Sequence, residues 1–87
     1  MKIRIEPHTL TRAEERGATK EDIYDVINNG IDIAAKNNRI GKFKVYEFNK
    51  ERNNKFYKQK RVEVFFIVEY NILITVTVYV FYGKWEE

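Results

Sequence analysis

The sequence predicts an α+β fold in which two N-terminal helices pack on one face of an antiparallel sheet of about four strands. Helix-favouring residues with recognisable helix ends fill much of the first thirty positions, whereas β-branched and aromatic residues alternate with polar ones through most of residues 43–81. Helices first and strands afterwards are typical of this class. Residues 1–87 are expected to form one domain, because a chain of this length cannot bury a second core.

Both ends of the first helix are marked. A short alternating strand at residues 2–5 ends at Pro7, because proline lacks the amide hydrogen that a sheet ladder needs, and the same residue suits the first position of a helix. Gly17 suits the left-handed residue that ends a helix. The first helix is therefore predicted over residues 7–16.

The second helix is predicted to begin at a capping box formed by Thr19 and Asp22. It ends at residues 28–30, where two asparagines precede a glycine. Its apolar stripe consists of Ile23, Val26 and Ile27. Two helices joined by a tight turn at residues 17–18 need a sheet to cover them, and the later strands supply it.

Three longer strands are predicted after residues 31–35, which fit either a helical turn or an extended link. Residues 43–48 alternate well, residues 52–54 look like a turn, and a strand that begins at residue 56 can run on through residue 70. In the last strand, residues 72–81, the even positions are apolar and the odd positions are mixed. This pattern predicts a central strand with a helix on one side and a ligand or solvent on the other.

The composition excludes several classes of protein. An apolar content of 44%, with six phenylalanines and six tyrosines, excludes global disorder. The chain has no cysteine, and its first eight residues lack the apolar core of a signal peptide, so we expect a cytoplasmic protein without disulfides. Glu63, Glu69 and Asn71 interrupt the longest apolar run, which argues against a membrane span. With a single histidine, no metal or cofactor is expected.

Residues 36–61 carry ten basic and two acidic side chains, a net charge of +8 within a chain whose total is +3. Aromatic residues are interleaved with these cations, as is typical of a surface that stacks bases and contacts phosphates of single-stranded nucleic acid. The alternatives are a strand pair whose aromatics are core and whose lysines protect an exposed edge, or a site for an acidic protein. The predicted nucleic-acid-binding residues are Lys42, Lys44, Tyr46, Arg52, Lys55, Lys58, Lys60, Arg61 and Lys84.

His8, Arg12 and Arg16 are spaced by four and project from one face of the first helix. A histidine beside arginines can act as general acid or base on a phosphodiester whose charge the guanidinium groups hold. Alternatively, His8 caps the first turn or packs under the sheet while the arginines pair with nearby carboxylates. Tyr79, near the end of the longest strand, either serves in RNA cleavage through the ribose 2′-hydroxyl or completes the core.

Three stretches, IEPHTLTRAEERG at residues 5–17, TKEDI at residues 19–23 and ITVTVY at residues 74–79, resemble the DUF4258 domain family. That family is similar to the BrnT and RelE-like toxins, compact α+β proteins that are often ribonucleases paired with an antitoxin. The resemblance implies a DUF4258-like domain with His8, Arg12, Arg16 and Tyr79 in its active site. It also implies RNA and a small acidic antitoxin protein as partners.

The leading hypothesis is a toxin-like RNA-binding protein that acts as a metal-independent endoribonuclease of a toxin–antitoxin pair. In it, His8 is the acid or base, Arg12 and Arg16 hold the scissile phosphate, and Tyr79 orients the ribose or a base. The competing hypothesis is a non-catalytic module that binds nucleic acid or an acidic protein through the basic segment. The sequence also leaves open a homodimer that pairs an exposed strand edge near Phe56.

Overall fold

The computed structural model describes residues 1–85, which form two helices and one five-stranded sheet. In chain order the elements are β1 (Lys2–Arg4), α1 (Pro7–Arg16), α2 (Lys20–Asn29), β2 (Ile31–Ile33), β3 (Ile40–Arg52), β4 (Lys55–Glu69) and β5 (Ile72–Gly83). The strand order is β1-β5-β4-β3-β2. The predicted α+β class is confirmed, with five strands rather than about four. The sheet is mixed rather than antiparallel, because β1 pairs parallel to β5.

The predicted helix ends are confirmed. Gly17 follows α1 with a φ of +103°, and its amide donates to the carbonyl oxygen of Glu14 at 3.1 Å. At the start of α2, the Thr19 hydroxyl accepts a hydrogen bond from the Asp22 amide, and the Asp22 carboxylate accepts one from the Thr19 amide, each at 3.0 Å. These contacts satisfy backbone groups that a helix end leaves unpaired, so local sequence is sufficient to position both helices along the chain.

Two-residue turns close the β3–β4 and β4–β5 hairpins. Both positions of each turn have positive φ: 53° and 64° at Asn53 and Asn54, and 51° and 65° at Tyr70 and Asn71. Turns of this kind match the twist of antiparallel neighbours, and asparagine tolerates the left-handed region better than most residues. The turn predicted at residues 52–54 is confirmed.

β3 extends beyond the predicted residues 43–48 at both ends. A register shift between Glu47 and Lys50 interrupts its pairing with β4, and Asn49 has a φ of 49°. A bulge adds a residue to one strand and breaks its period-two alternation. The alternating pattern in the sequence therefore ends near residue 48, although β3 continues to pair with β4 as far as Arg52. Residues 31–35, for which the sequence fits either a helical turn or an extended link, begin with the strand β2.

The prediction that the even positions of β5 share one face is wrong. Phe65 pairs with Thr77, whereas the next residue of β4 pairs with Thr75, so Val76 is an extra residue in a bulge. The bulge exchanges the two faces: Thr75 is buried before it and Val78 after it. Alternation alone does not detect the exchange, because each half of the strand alternates regularly.

Both helices pack against the same face of the sheet and enclose one core. Its buried apolar residues are Ala13, Ala18, Ile23, Val26, Ile27, Val62, Val64, Phe66, Leu73 and Val78. The predicted apolar stripe of α2 and the even positions of β4 therefore meet in the core. Each helix has ten residues, and no helix within residues 1–85 is long and apolar enough to cross a bilayer.

α1 also covers an edge of the sheet. Because β1 pairs only with residues 72–74 of β5, the remainder of that edge has no strand beside it within residues 1–85. Thr9 Oγ1 donates to the Val76 carbonyl oxygen at 3.3 Å, and Arg16 Nη1 donates to the Val78 carbonyl oxygen at 2.6 Å. The helices thus occupy one face and this edge, and within residues 1–85 no helix covers the opposite face.

Candidate functional site

The face of the sheet opposite the helices, referred to below as the open face, carries three adjacent rows of residues. Because Val62 and Val64 point into the core, the residues between and beside them on β4 point to the open face. The strand register places one residue of β3 and one of β5 next to each of these β4 residues. The rows consist of Gly41, Phe65 and Thr77; of Phe43, Glu63 and Tyr79; and of Val45, Arg61 and Phe81.

Aromatic side chains on the open face are exposed and contiguous. Tyr79 keeps 43% of its surface exposed and Phe81 keeps 46%. The centroid of the Tyr79 ring lies 6.0 Å from that of Phe65, in a T-shaped arrangement, and 6.3 Å from that of Phe81. Neighbouring exposed rings form an apolar surface on which a planar ligand can stack.

An ion pair lies among these rings. Arg61 Nε is 2.9 Å from Glu63 Oε2, and the Arg61 guanidinium carbon is 3.8 Å from the centroid of the Phe43 ring. A guanidinium group can hold a phosphate, and a carboxylate can accept a proton. Sequence reasoning missed Glu63; a carboxylate within the most apolar strand, two residues after an arginine, is the signal that could have identified it.

The structure brings together two of the four predicted catalytic residues. Arg16 reaches around the edge of β5, and its guanidinium carbon lies 5.4 Å from the centroid of the Tyr79 ring. Tyr79 in turn pairs directly with Glu63 across β4 and β5. His8 and Arg12 are exposed on α1. The open face therefore contains Tyr79 with Arg16 beside it, whereas His8 and Arg12 face solvent.

Three predicted nucleic-acid-binding residues are paired with α2. Lys44 Nζ lies 2.7 Å from Asp25 Oδ2, and the Tyr46 hydroxyl donates to the same oxygen at 2.6 Å. Lys60 Nζ lies 2.9 Å from Asp22 Oδ2. These contacts neutralise part of the basic segment and hold α2 against β3 and β4.

The same contacts shift the pKa values of the groups involved. The hydrogen bond from Lys44, followed by that from Tyr46, lowers the pKa of the Asp25 carboxyl. Burial, followed by the hydrogen bond to Asp25, raises the pKa of the Tyr46 hydroxyl. Burial works to raise the pKa of the Asp22 carboxyl, but hydrogen bonds from the helix cap and from Lys60 outweigh it, and this pKa is lowered.

The remaining predicted nucleic-acid-binding residues are divided between paired and exposed positions. Lys42 Nζ lies 3.1 Å from Asp32 Oδ1, and Arg52 Nη2 donates to the carbonyl oxygen of Glu15 at 2.8 Å. The exposed residues are Lys55, Lys58 and Lys84. The first two belong to the outer hairpin, defined as residues 48–58, which extends past the last β5 pairing at Gly83.

Further cations border the open face at one end. A cavity of about 160 Å³ is lined by Lys36, Asn37, Arg39, Phe65, Thr77 and Tyr79. Lys36 and Arg39 therefore lie close to the aromatic surface, although neither was among the predicted site residues. Among residues 1–85, no three histidine, aspartate or glutamate side chains come together in an arrangement that could hold a metal ion.

Comparison with protein-family models, curated proteins and solved structures finds no match to this chain. The resemblance to the DUF4258 domain family therefore stays a prediction.

Proposed function

We propose that this protein binds single-stranded RNA on its open face. The observation that supports the proposal is a contiguous aromatic surface, formed by the exposed rings of Tyr79 and Phe81 and the half-buried ring of Phe65. Arg16 and Arg61 border this surface. Each base that stacks on an aromatic side chain contributes about 1–3 kcal/mol to binding. Stacking requires unpaired bases, so a single strand suits this surface better than a duplex.

Polar groups among the rings favour RNA over DNA. The Glu63 carboxylate and the Tyr79 hydroxyl belong to the same row of the open face. Both can form hydrogen bonds with a ribose 2′-hydroxyl, which DNA lacks. The exposed lysines of the outer hairpin, Lys55 and Lys58, extend the positive charge beyond the rings and can contact phosphates of the same strand.

Binding can be measured by the fluorescence anisotropy of an end-labelled single-stranded RNA. We expect Tyr79→Ala and Phe81→Ala each to weaken binding roughly tenfold or more, because each removes a stacking surface. Tyr70→Ala is the matched control, since Tyr70 is 98% exposed in the β4–β5 turn, outside the three rows. Binding on the open face would be contradicted if all three variants lost RNA affinity equally, or if none of them lost affinity.

RNA cleavage is a second candidate function, and the position of Glu63 favours it. The Glu63 carboxylate is paired with Arg61, and Tyr79 lies directly across from it with Arg16 near its ring. In this proposal Glu63 accepts the 2′-hydroxyl proton as the 2′-oxygen bonds to phosphorus and the bond to the 5′-oxygen breaks. The leaving 5′-oxygen takes a proton from water, and the arginines stabilise the charge on the phosphate. The products carry a 2′,3′-cyclic phosphate and a 5′-hydroxyl.

The alternative acid or base is His8, with Arg12 and Arg16 holding the scissile phosphate, as the sequence predicts. Incubation with total RNA and with a defined single-stranded RNA separates the two sites. If Glu63 is the base, Glu63→Gln should slow cleavage by roughly 10²–10⁴-fold while His8→Ala keeps most of the activity. The reverse result would assign the chemistry to α1. Binding without cleavage would leave a non-catalytic RNA-binding protein.

We also propose, from the resemblance, that the protein is the toxin of a toxin–antitoxin pair. The exposed lysines of the outer hairpin are suited to a small acidic antitoxin protein. Co-expression with the product of a neighbouring acidic reading frame, followed by size-exclusion chromatography, tests this proposal. A stable complex that dissociates at high salt is the expected result, and independent elution of the two proteins would contradict it.

A further inference from the structure

A cavity of about 520 Å³ opens beside the free edge of β3. β2 pairs with residues 41–43 only, so within residues 1–85 the edge of β3 from Lys44 onward has no neighbouring strand. The cavity is lined by Asn29, Ile31, Phe43, Lys44, Val45, Arg61 and Trp85. Its volume falls in the range of roughly 300–1,000 Å³ that is typical of small-molecule sites.

Trp85 forms one wall of this cavity. It follows β5 in the chain, and β4 separates β5 from β3 in the sheet, so the Trp85 side chain lies across β4 from its own strand. Its backbone amide donates to Gln59 Oε1 at 2.6 Å, and this hydrogen bond holds Trp85 against β4. Atoms of its ring lie between 3.6 and 3.9 Å from the position that a Cβ would take on Gly83. The ring therefore packs closely over a residue that has no side chain.

The other side of the cavity is continuous with the open face. Phe43, Val45 and Arg61 line the cavity and also belong to the rows of the open face. The Arg61 guanidinium lies against the Phe43 ring and is held by Glu63. Aromatic rings and a fixed guanidinium plane are the groups on which nucleobases stack.

Asn29 adds an exposed polar group to the lining. Its Nδ2 donates to Asp25 Oδ1 at 2.8 Å, so its side-chain oxygen remains available as a hydrogen-bond acceptor. Adenine and cytosine carry an exocyclic amino donor, whereas uracil carries an oxygen at the corresponding position. An acceptor that meets this exocyclic position forms a hydrogen bond with adenine or cytosine and repels the uracil oxygen, so in that orientation adenine or cytosine is favoured over uracil.

We infer that this cavity binds one nucleobase of a single-stranded RNA, with adenine or cytosine preferred over uracil. The inference rests on the proposed RNA-binding function, because the strand that inserts the base is the strand held on the open face. The base stacks against Trp85 and the Arg61–Phe43 pair, and the Asn29 oxygen accepts a hydrogen bond from its amino group.

Trp85 is the only tryptophan of the chain, so its fluorescence reports directly on the cavity. The probes are single-stranded octamers of adenylate, cytidylate and uridylate, together with free AMP and UMP. We expect the adenylate and cytidylate octamers to quench Trp85 emission and to bind roughly fivefold or more tightly than the uridylate octamer. Anisotropy of the same labelled octamers measures total binding.

Two variants separate the cavity from the rest of the open face. Val45→Glu places a carboxylate in the lining and should abolish quenching, whereas Thr11→Glu, the same change of charge at an exposed position of α1, should leave it unaltered. Asn29→Leu should remove the preference for adenylate over uridylate while the octamers still bind. Circular dichroism confirms that each variant is folded.

The outcomes distinguish failure of the inference from failure of the proposed function. Octamers that bind by anisotropy without quenching, and with no effect of Val45→Glu, would overturn the base-binding cavity and leave the open face as the RNA site. Quenching by AMP with no binding of any octamer would overturn RNA binding, and with it this inference, and would leave a mononucleotide site. If no octamer binds and no probe quenches Trp85 emission, both the proposed RNA binding and the base-binding cavity are overturned.

Discussion

Replacing Lys60 with methionine tests whether the cations that contact α2 stabilise the fold rather than bind nucleic acid. Lys60 Nζ lies 2.9 Å from both Asp22 Oδ2 and the Gly17 carbonyl oxygen. The Lys60 side chain is 13% exposed and that of Asp22 is 18% exposed. Methionine retains most of the apolar stem of lysine and removes the charge and both hydrogen bonds.

The expected loss of stability follows from this geometry. A hydrogen bond to a charged group contributes about 1.5–3 kcal/mol, and breaking a fully buried ion pair costs about 3–5 kcal/mol. Because the pair keeps some contact with water, we expect Lys60→Met to lower the free energy of unfolding by about 2 kcal/mol. In a chain of this size that loss lowers Tm by roughly 8–16 °C.

Thermal and urea unfolding followed by circular dichroism measure this effect. Lys58→Met is the matched control, because Lys58 lies two residues earlier on β4 and is exposed. We expect Lys60→Met to be less stable than wild type and to bind RNA normally while folded, and Lys58→Met to be stable and to bind RNA more weakly. Equal stability of the two variants would refute the assignment of Lys60 to the fold.

Three further predictions concern other contacts. Gly17→Ala should cost about 2 kcal/mol in urea unfolding, because alanine is strained at φ +103° and its Cβ would displace the Tyr82 hydroxyl. Gly83→Ala, which meets only ordinary contacts, should cost less, and an equal cost would contradict the reasoning. Folding lowers the pKa of Asp25, so its stabilising contribution is complete above the unfolded value of about 3.9 and is lost as pH falls through the folded pKa. Urea midpoints should therefore decline from about pH 4 to pH 2, and less steeply in Asp25→Asn; unchanged steepness would exclude this carboxyl as a cause. Lys55→Gln should reduce the slope of log affinity for RNA against log salt by about 0.7, and an unaltered slope would show that Lys55 contacts no phosphate.

Features that depend on a few neighbouring residues were predictable from the sequence. The bounds of α1, the capping box at the start of α2 and the turn at Asn53 and Asn54 are each encoded within about five positions, and all three are confirmed. The burial of Val62, Val64 and Phe66 on one face of β4 agrees with the regular alternation of that strand, because successive side chains of a strand point to opposite faces.

Features that depend on pairing between strands were not predictable. The bulge at Val76 exchanges the faces of β5, yet the residues around it read as regular alternation. The position of Glu63 beside Tyr79 depends on that register, so the sequence offered no reason to place Glu63 in a site. Helical spacing predicts that His8 shares a face of α1 with Arg12 and Arg16, but spacing does not show whether that face meets solvent or the sheet.

The α+β class, the ends of the helices and the concentration of positive charge in residues 36–61 follow from the amino-acid sequence alone. Which of those charges are paired depends on long-range packing. Lys60 is paired with Asp22, which is 38 positions away in the chain. Whether such a lysine is paired or exposed depends on how α2 lies across the sheet. Local patterns encode the elements, because backbone hydrogen bonds and caps are short-range. The open face and its charges arise from long-range packing, which no local pattern records.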